Sequence, residues 1–118
     1  MINYNKCEYA GCNDTLVHTM LKAGPLVTSI DATSIVSYKS GYFYPTTSTP
    51  CTKTNHVVVI VGYGTDTVGT TKTSYWLVRN SWGTGWGMAG YFKVKDVQGI
   101  DQDSCFITRA VFQPYFWA

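Results

Sequence analysis

The pattern of apolar and polar positions predicts a pair of strands in the middle of the chain. Residues 57–61 form an unbroken, mostly β-branched apolar run, which is typical of a strand buried on both faces. Residues 75–78 form a shorter aromatic and aliphatic run that also favours a strand. The stretch between them, 62–73, is rich in Gly, Thr and Asp and predicts a loop. Two strands joined in this way most simply form an antiparallel hairpin.

Shorter elements are predicted on both sides of this hairpin. Apolar side chains recur at helical spacing over 13–23, with Asn13 or Asp14 as the N-cap and Gly24 and Pro25 after the last turn. His18 lies off the apolar stripe of this helix, so we expect it to be solvated. The other predicted elements are strands at 26–31, 91–94 and 105–112, a short helix at 32–38, a glycine-rich turn at 83–90 and a polar segment at 96–103.

Together these elements predict one α+β domain that is mainly antiparallel β. With 118 residues, 45% of them apolar and 14% charged, the chain is long and apolar enough to bury one globular core. Residues 1–12 show no clear periodicity. We therefore assign 1–12 to an N-terminal segment and 13–118 to the domain.

Charge and hydropathy exclude several classes of partner. The net charge of +2 has no basic run behind it, so neither nucleic acid nor an anionic membrane is expected as a partner. No apolar stretch is long enough to cross a membrane, and the N-terminus lacks the apolar core of a signal peptide. The chain therefore either begins at a true initiator methionine or is part of something longer.

The four cysteines fit an oxidising compartment, in which three pairings are possible if all of them are bridged. Reduced thiols in a cytosolic protein are the alternative. Cys7 and Cys12 either bridge each other, or one of them reaches a partner outside this chain. No second pair of Cys or His residues lies nearby to complete four zinc ligands, so no metal site and no cofactor are predicted.

The hairpin has a chemical consequence, because it brings a histidine and an asparagine together. His56 opens the first strand and Asn80 closes the second, so a hairpin centred on Val68 places them side by side. An imidazole held by a side-chain amide is the base and its orienting group in a nucleophilic triad. A structural histidine at a strand end is the alternative interpretation.

The tripeptide Asn13-Asp14-Thr15 also matches the acceptor sequence for N-glycosylation. Such matches are common by chance. We therefore favour the helix N-cap as the use of Asn13.

Three segments around His56 and Asn80 resemble the papain-like cysteine peptidases. They are 55–57, 61–64 with the sequence Val-Gly-Tyr-Gly, and 79–87, which contains Asn-Ser-Trp-Gly-Thr-Gly-Trp-Gly. These motifs surround the catalytic His and Asn of that family. The resemblance implies half of the papain-like fold, the β-barrel-like right-hand domain with one or two short helices.

The resemblance also implies roles for individual residues. His56 and Asn80 match the catalytic pair, and Trp82 matches the residue that covers their hydrogen bond from water. Ser29, Val57 and Ala110 match the wall of the S2 pocket, which holds the substrate side chain two residues before the cleaved bond. Because all three are small or medium in size, we expect a large apolar or aromatic side chain there. Cys51 and Cys105 match a disulfide of the family.

The nucleophile of the family has no counterpart in this chain. Its Cys-Gly-Ser/Ala-Cys-Trp/Tyr signature is absent, and so is the glutamine of the oxyanion hole. One hypothesis is that a Cys-bearing first domain completes a peptidase acting on peptide substrates, with this chain alone inactive. The other is a catalytically dead module within a larger assembly. Both predict a protein partner, and the resemblance implies a lysosomal, vacuolar or secreted location.

Overall fold

A computed structural model describes residues 2–8, 12–46, 48, 50–97 and 104–116. This part of the chain forms one sheet with two short helices, which confirms the predicted α+β class. The elements are β1 (Ile2–Glu8), α1 (Asp14–Leu21), β2 (Leu26–Ile30), α2 (Ala32–Ile35), β3 (Tyr42–Phe43), β4 (His56–Val68), β5 (Thr71–Arg79), β6 (Tyr91–Lys95) and β7 (Ala110–Phe116).

The seven strands follow the order β1-β7-β2-β4-β5-β6-β3. Every strand pairing is antiparallel except that of β3 with β6. Because β1 pairs with β7 along its whole length, the sheet extends into the segment 1–12 that the sequence analysis set apart. Alternation along β4 buries Val58 and Ile60 and turns Val57 to the opposite face.

The central hairpin is confirmed, but the predicted loop at 62–73 is wrong. β4 and β5 continue through this stretch, and only residues 69 and 70 form the turn. Gly69 has a φ of 63°, which a turn this tight requires. The Gly and Thr residues misled the prediction because this part of the hairpin extends into solvent, where Val68 is 79% exposed.

Helix α1 has Asn13 as its N-cap, as predicted, but it ends at Leu21, two residues before the predicted end. The Asn13 side chain accepts a hydrogen bond from the backbone N–H of Leu16, and Val17 and Met20 are buried against the sheet. The Gln113 amide donates to the backbone oxygens of Met20 and Gly24, at 2.5 and 3.0 Å, which ties the end of the helix to β7.

The expectation that His18 is solvated is wrong. Its ring centroid lies 4.0 Å from that of Tyr63 and 4.8 Å from that of Trp76, and its Nε2 atom is buried. The apolar stripe alone predicts too narrow a buried face for α1, because the long β4–β5 hairpin packs two aromatic rings against this helix.

The last strand starts later than predicted. Residues 105–109 form turns, with positive φ at Cys105 (54°) and Phe106 (63°), and β7 begins at Ala110. The hydroxyl of buried Thr28 donates to the backbone oxygen of Ile107 at 2.7 Å and holds this turn against β2. Residues 98–103 of the predicted polar segment lie outside the described residues.

Two disulfides join the four cysteines, Cys7 to Cys12 and Cys51 to Cys105. Cys51 and Cys105 are fully buried, and their bond connects the segment before β4 to the turn before β7. Neither helix in the described ranges is long and apolar enough to cross a membrane.

Candidate active site

His56 and Asn80 meet at one end of the sheet. His56 is the first residue of β4, and Asn80 directly follows β5. Antiparallel pairing places the start of one strand beside the end of the other, and His56 Nε2 lies 2.7 Å from Asn80 Oδ1. The long hairpin therefore assembles the pair from residues 24 positions apart.

A second hydrogen bond determines which ring nitrogen of His56 carries the proton. Asn80 Oδ1 also accepts from the backbone N–H of Ser81 at 2.8 Å, so this atom is the amide oxygen and acts as an acceptor. The neutral His56 ring must then donate from Nε2, which leaves the lone pair on Nδ1. Asn80 is only 6% exposed, so its orientation is held within the protein. The site can therefore exchange a proton at Nδ1.

Trp82 lies over the His56 ring. The two rings are stacked at an interplanar angle of 29° with their centroids 4.9 Å apart. Trp86 meets Trp82 edge to face at 5.3 Å and donates from its indole nitrogen to the backbone oxygen of Val36. Trp86 thus supports the cover over His56. Trp86 stands in the motif at 79–87, but its contact with Trp82 depends on how the turn folds and has no signal in the sequence.

The turn at 83–90 folds back onto the end of β5. The backbone N–H of Asn80 donates to the oxygen of Gly90 at 3.0 Å, and Gly90 N–H donates to the oxygen of Trp86 at 2.8 Å. Gly87 has a φ of 60°, and a Cβ there would lie 2.8 Å from the backbone oxygen of Tyr91. Glycine is required at this position because both the backbone conformation and the close approach exclude a side chain.

Ser29, Val57 and Ala110 lie on three neighbouring strands. Ser29 is the direct cross-strand partner of Val57. The pairing of Val27 with Phe112 places Ser29 opposite Ala110 by continuation of the antiparallel register. All three lie on the outer face of the sheet, the face that points away from the core. We call these three residues the outer row. The outer row begins one residue after His56.

The segment before His56 is anchored by Asp31. Its carboxylate accepts hydrogen bonds from the backbone N–H groups of Thr33, Thr52 and Lys53 at 3.1, 2.9 and 3.2 Å. Burial tends to raise the pKa of Asp31, but these hydrogen bonds outweigh it and hold the pKa below its ordinary value. Asn55 adds a bond from the N–H of Ala32 to its side-chain oxygen. The sequence gives these roles only a weak local signal, because apart from the N–H of Thr33 the partners of Asp31 and Asn55 are more than 20 residues away along the chain.

A second group of titratable side chains lies away from this pair, where α1 meets the sheet. Tyr63 donates to Asp96 at 3.2 Å. Burial, a hydrogen bond with the Asp96 carboxyl group and repulsion by its charge raise the pKa of Asp14 to about 7. In the described part of the chain, no cluster of three or more His, Cys, Asp or Glu residues could hold a metal ion.

Comparison with known proteins gives this geometry a context. The model of the papain family cysteine proteases matches residues 2–115. Procathepsin L from Mus musculus is 36% identical over 125 aligned positions, covering 92% of this chain and 35% of that protein. Testin-2 from Mus musculus is 40% identical over 91 positions, covering 74% and 26%.

The chain belongs to the papain family of cysteine proteases. Solved structures of the family show the same fold. The recombinant stem bromelain precursor superposes with a TM-score of 0.78 at 29% identity, over 98% of this chain and 36% of that one. For digestive procathepsin L2 from Tenebrio molitor larval midgut the TM-score is 0.77 at 32% identity, over 97% and 34%.

The chain spans about a third or less of the curated papain-family relatives that it matches, from 24% of fruit bromelain from Ananas comosus to 35% of mouse procathepsin L. The motifs around His56 and Asn80 therefore belong to one part of a longer family fold.

Proposed function

We propose that this chain supplies the imidazole half of a cysteine peptidase active site, with His56 as the proton-transfer residue and Asn80 as its orienting group. The observation that carries this proposal is the 2.7 Å hydrogen bond between His56 Nε2 and Asn80 Oδ1 beneath the stacked Trp82 ring. The bond leaves Nδ1 for the nucleophile, as the base of a nucleophile–base–orienter triad requires.

The nucleophile must come from outside this chain. All four cysteines are held in disulfides, so the chain has no free thiol. In the completed site, the thiolate of a partner cysteine attacks the peptide carbonyl while the protonated His56 ring balances its charge. His56 then donates its proton from Nδ1 to the leaving amine, and water hydrolyses the resulting thioester. This chain alone is therefore inactive.

The outer row gives the substrate preference. Ser29, Val57 and Ala110 would form one wall of the S2 pocket, and Val57 is 59% exposed and open to a ligand. A wall of small and medium side chains leaves room for a large apolar or aromatic side chain, whose burial would contribute about 1.5–3 kcal/mol. The substrate class is thus a peptide with such a residue two positions before the cleaved bond.

The partner is a polypeptide that carries the cysteine and covers the outer face of the sheet. Val61 and Phe112 are 36% and 38% exposed there, near Val57, and exposed apolar surface of this kind marks interaction sites. Two disulfides are typical of an oxidising compartment. We place the protein in a lysosome or vacuole, or outside the cell.

A second candidate function rests on the missing thiol. Without a cysteine nucleophile from any partner, the same fold would be a catalytically inactive interaction module within an assembly. The His56–Asn80 bond would then persist as a structural feature of the hairpin.

Epoxide labelling of the native protein or assembly that contains this chain separates the two functions. We expect alkylation of a cysteine outside residues 1–118 and cleavage of peptide substrates. His56→Ala should abolish labelling. Asn80→Ala should lower kcat by roughly 10- to 1,000-fold.

His18→Gln is the matched control, because His18 is the other histidine of the chain and packs against Tyr63 away from this site. It should leave labelling unchanged. If native preparations that include the partner take up no epoxide, the peptidase proposal fails and the interaction module replaces it.

A further inference from the structure

The N-cap of α1 leaves part of Asn13 unused. Its side-chain oxygen Oδ1 accepts the 3.0 Å hydrogen bond from the N–H of Leu16. The cap uses the oxygen, whereas an N-linked glycan is attached through the amide nitrogen. The two uses of Asn13 are therefore compatible, because a glycosylated amide keeps its carbonyl oxygen as an acceptor.

The tripeptide is accessible on the surface. Asn13 and Thr15 are both exposed, and the Asn13 backbone is extended, with φ −141° and ψ 167°, just outside the helix. The Asp14 side chain between them is turned toward Asp96. The sequence has five asparagines, and only Asn13 begins an Asn-X-Ser/Thr tripeptide.

The position keeps a bulky group away from the proposed active site. Helix α1 buries Val17 and Met20 against the core face of the sheet, where Gln113 of β7 binds the backbone of Met20. The outer row lies on the opposite face. A glycan on Asn13 would leave both that face and the His56–Asn80 pair open.

The disulfides supply an independent observation. Both form in an oxidising compartment, and the secretory lumen in which disulfides form is also where N-linked glycans are transferred.

We propose that Asn13 is an N-glycosylation site whose side-chain oxygen continues to cap α1. In the transfer step, Asn13 Nδ2 attacks the anomeric carbon of a lipid-linked oligosaccharide and loses a proton. The new nitrogen–carbon bond forms as the bond from that carbon to the lipid diphosphate breaks, and the diphosphate leaves with the electron pair.

The first test is peptide mapping of the full-length protein from its natural source, before and after treatment with a peptide-N-glycosidase. We expect a glycan on the peptide that contains Asn13, and its conversion to Asp at position 13 on enzymatic release. A natural protein with both disulfides formed and Asn13 unmodified overturns the proposal.

Variants secreted by eukaryotic cells provide matched controls. Thr15→Ser keeps the acceptor hydroxyl and should keep the glycan, whereas Thr15→Val should lose it with the cap intact. Asn13→Asp also loses the glycan but preserves a good N-cap. Because enzymatic release leaves the same Asp at position 13, the variant and the released protein should have the same melting temperature. A glycan that persists in Asn13→Asp or Thr15→Val would contradict the assignment.

Discussion

At the scale of single residues, two neighbouring hydrogen bonds determine the chemistry of the site. Asn80 accepts from both His56 and the backbone of Ser81, so a feature local to the chain sets the tautomer of a ring brought from 24 residues away. The local part of this arrangement lies in the motif at 80–87, and its contact with His56 requires the hairpin.

We predict that neutral His56 carries its proton on Nε2, because Asn80 Oδ1 is an acceptor with a second donor already bound. Nitrogen chemical shifts of the His56 ring in the protein test this. Asn80→Ala should yield a mixture of tautomers, while His18→Gln should leave the His56 signals in place. A proton found on Nδ1 in the wild type would contradict the geometry.

The raised pKa of the Asp14 carboxyl group predicts that the protein becomes less stable as the pH rises toward neutral. Its pKa is raised from 3.8 to about 7, so the folded state holds this proton more tightly than the unfolded state does. The stabilisation is present below pH 4 and is lost as the pH rises through about 7. We expect a decrease of roughly 1–2 kcal/mol in the free energy of unfolding, since solvent screens a half-exposed carboxyl group.

Asp14→Asn should remove most of this decrease between pH 4 and 7, as measured by urea unfolding at each pH. Asp66→Asn is the control. A hydrogen bond from Tyr42 and the nearby Lys93 lower the pKa of Asp66, so its contribution is lost only as the pH falls below that range. If the free energy of unfolding of Asp14→Asn falls with pH as steeply as that of the wild type, the Asp14–Asp96 pair does not control the pH response.

At the scale of elements, the register of β4 and β5 decides which side chains reach the site. The register shifts between Ile60 and Gly62, which leaves Val61 as an extra residue in β4. A shift of one residue exchanges the two faces of a strand. The bulge therefore lets β4 continue into the long exposed hairpin while His56, before the bulge, still faces Asn80. The apolar run at 57–61 predicts the strand but contains no signal for the bulge.

Asp31 directly follows β2, and its carboxylate links this strand to the start of α2 and to the segment that carries Cys51. Asp31→Ala leaves three backbone N–H groups without their acceptor. We expect a decrease of about 2–3 kcal/mol in the free energy of unfolding at pH 7, measured by urea or thermal unfolding.

Asp31→Asn keeps one side-chain oxygen as an acceptor, so it should lower the free energy of unfolding less than Asp31→Ala does. Asp66→Asn removes the same charge from a carboxyl group that is 41% exposed. It should lower the free energy of unfolding clearly less than Asp31→Ala does. Equal losses for Asp31→Ala and Asp66→Asn would show that the buried hydrogen bonds contribute little.

At the scale of the whole molecule, one face of the sheet is covered and the other is open. The core face packs against α1, whereas the outer face presents Val57 and Val61 to solvent. A sheet of this kind is stable when a second layer buries its open apolar face. The partner in the proposed function would be that layer.

We predict that the isolated chain self-associates through this face. Replacing Val57 and Val61 together by Thr keeps the side-chain shape and strand propensity but lowers the apolar area, and should weaken association roughly tenfold. Sedimentation velocity or light scattering measures the change.

Val68→Thr is the matched control, since Val68 is 79% exposed at the hairpin tip and away from this face. It should leave association unchanged. A wild-type chain that remains monomeric on its own would refute the prediction.

The sequence by itself determined the two central strands, the cap of α1, the family and the pairing of His56 with Asn80. These depend on local periodicity and on short motifs, which the chain carries whatever its tertiary contacts. Only the tertiary structure decided that His18 packs against Tyr63 and Trp76, that Trp86 supports Trp82, and that Asp14 approaches Asp96. It also aligned the outer row across β4, β2 and β7. Each of these joins residues distant in the chain, so it depends on strand register and packing, which no local pattern specifies.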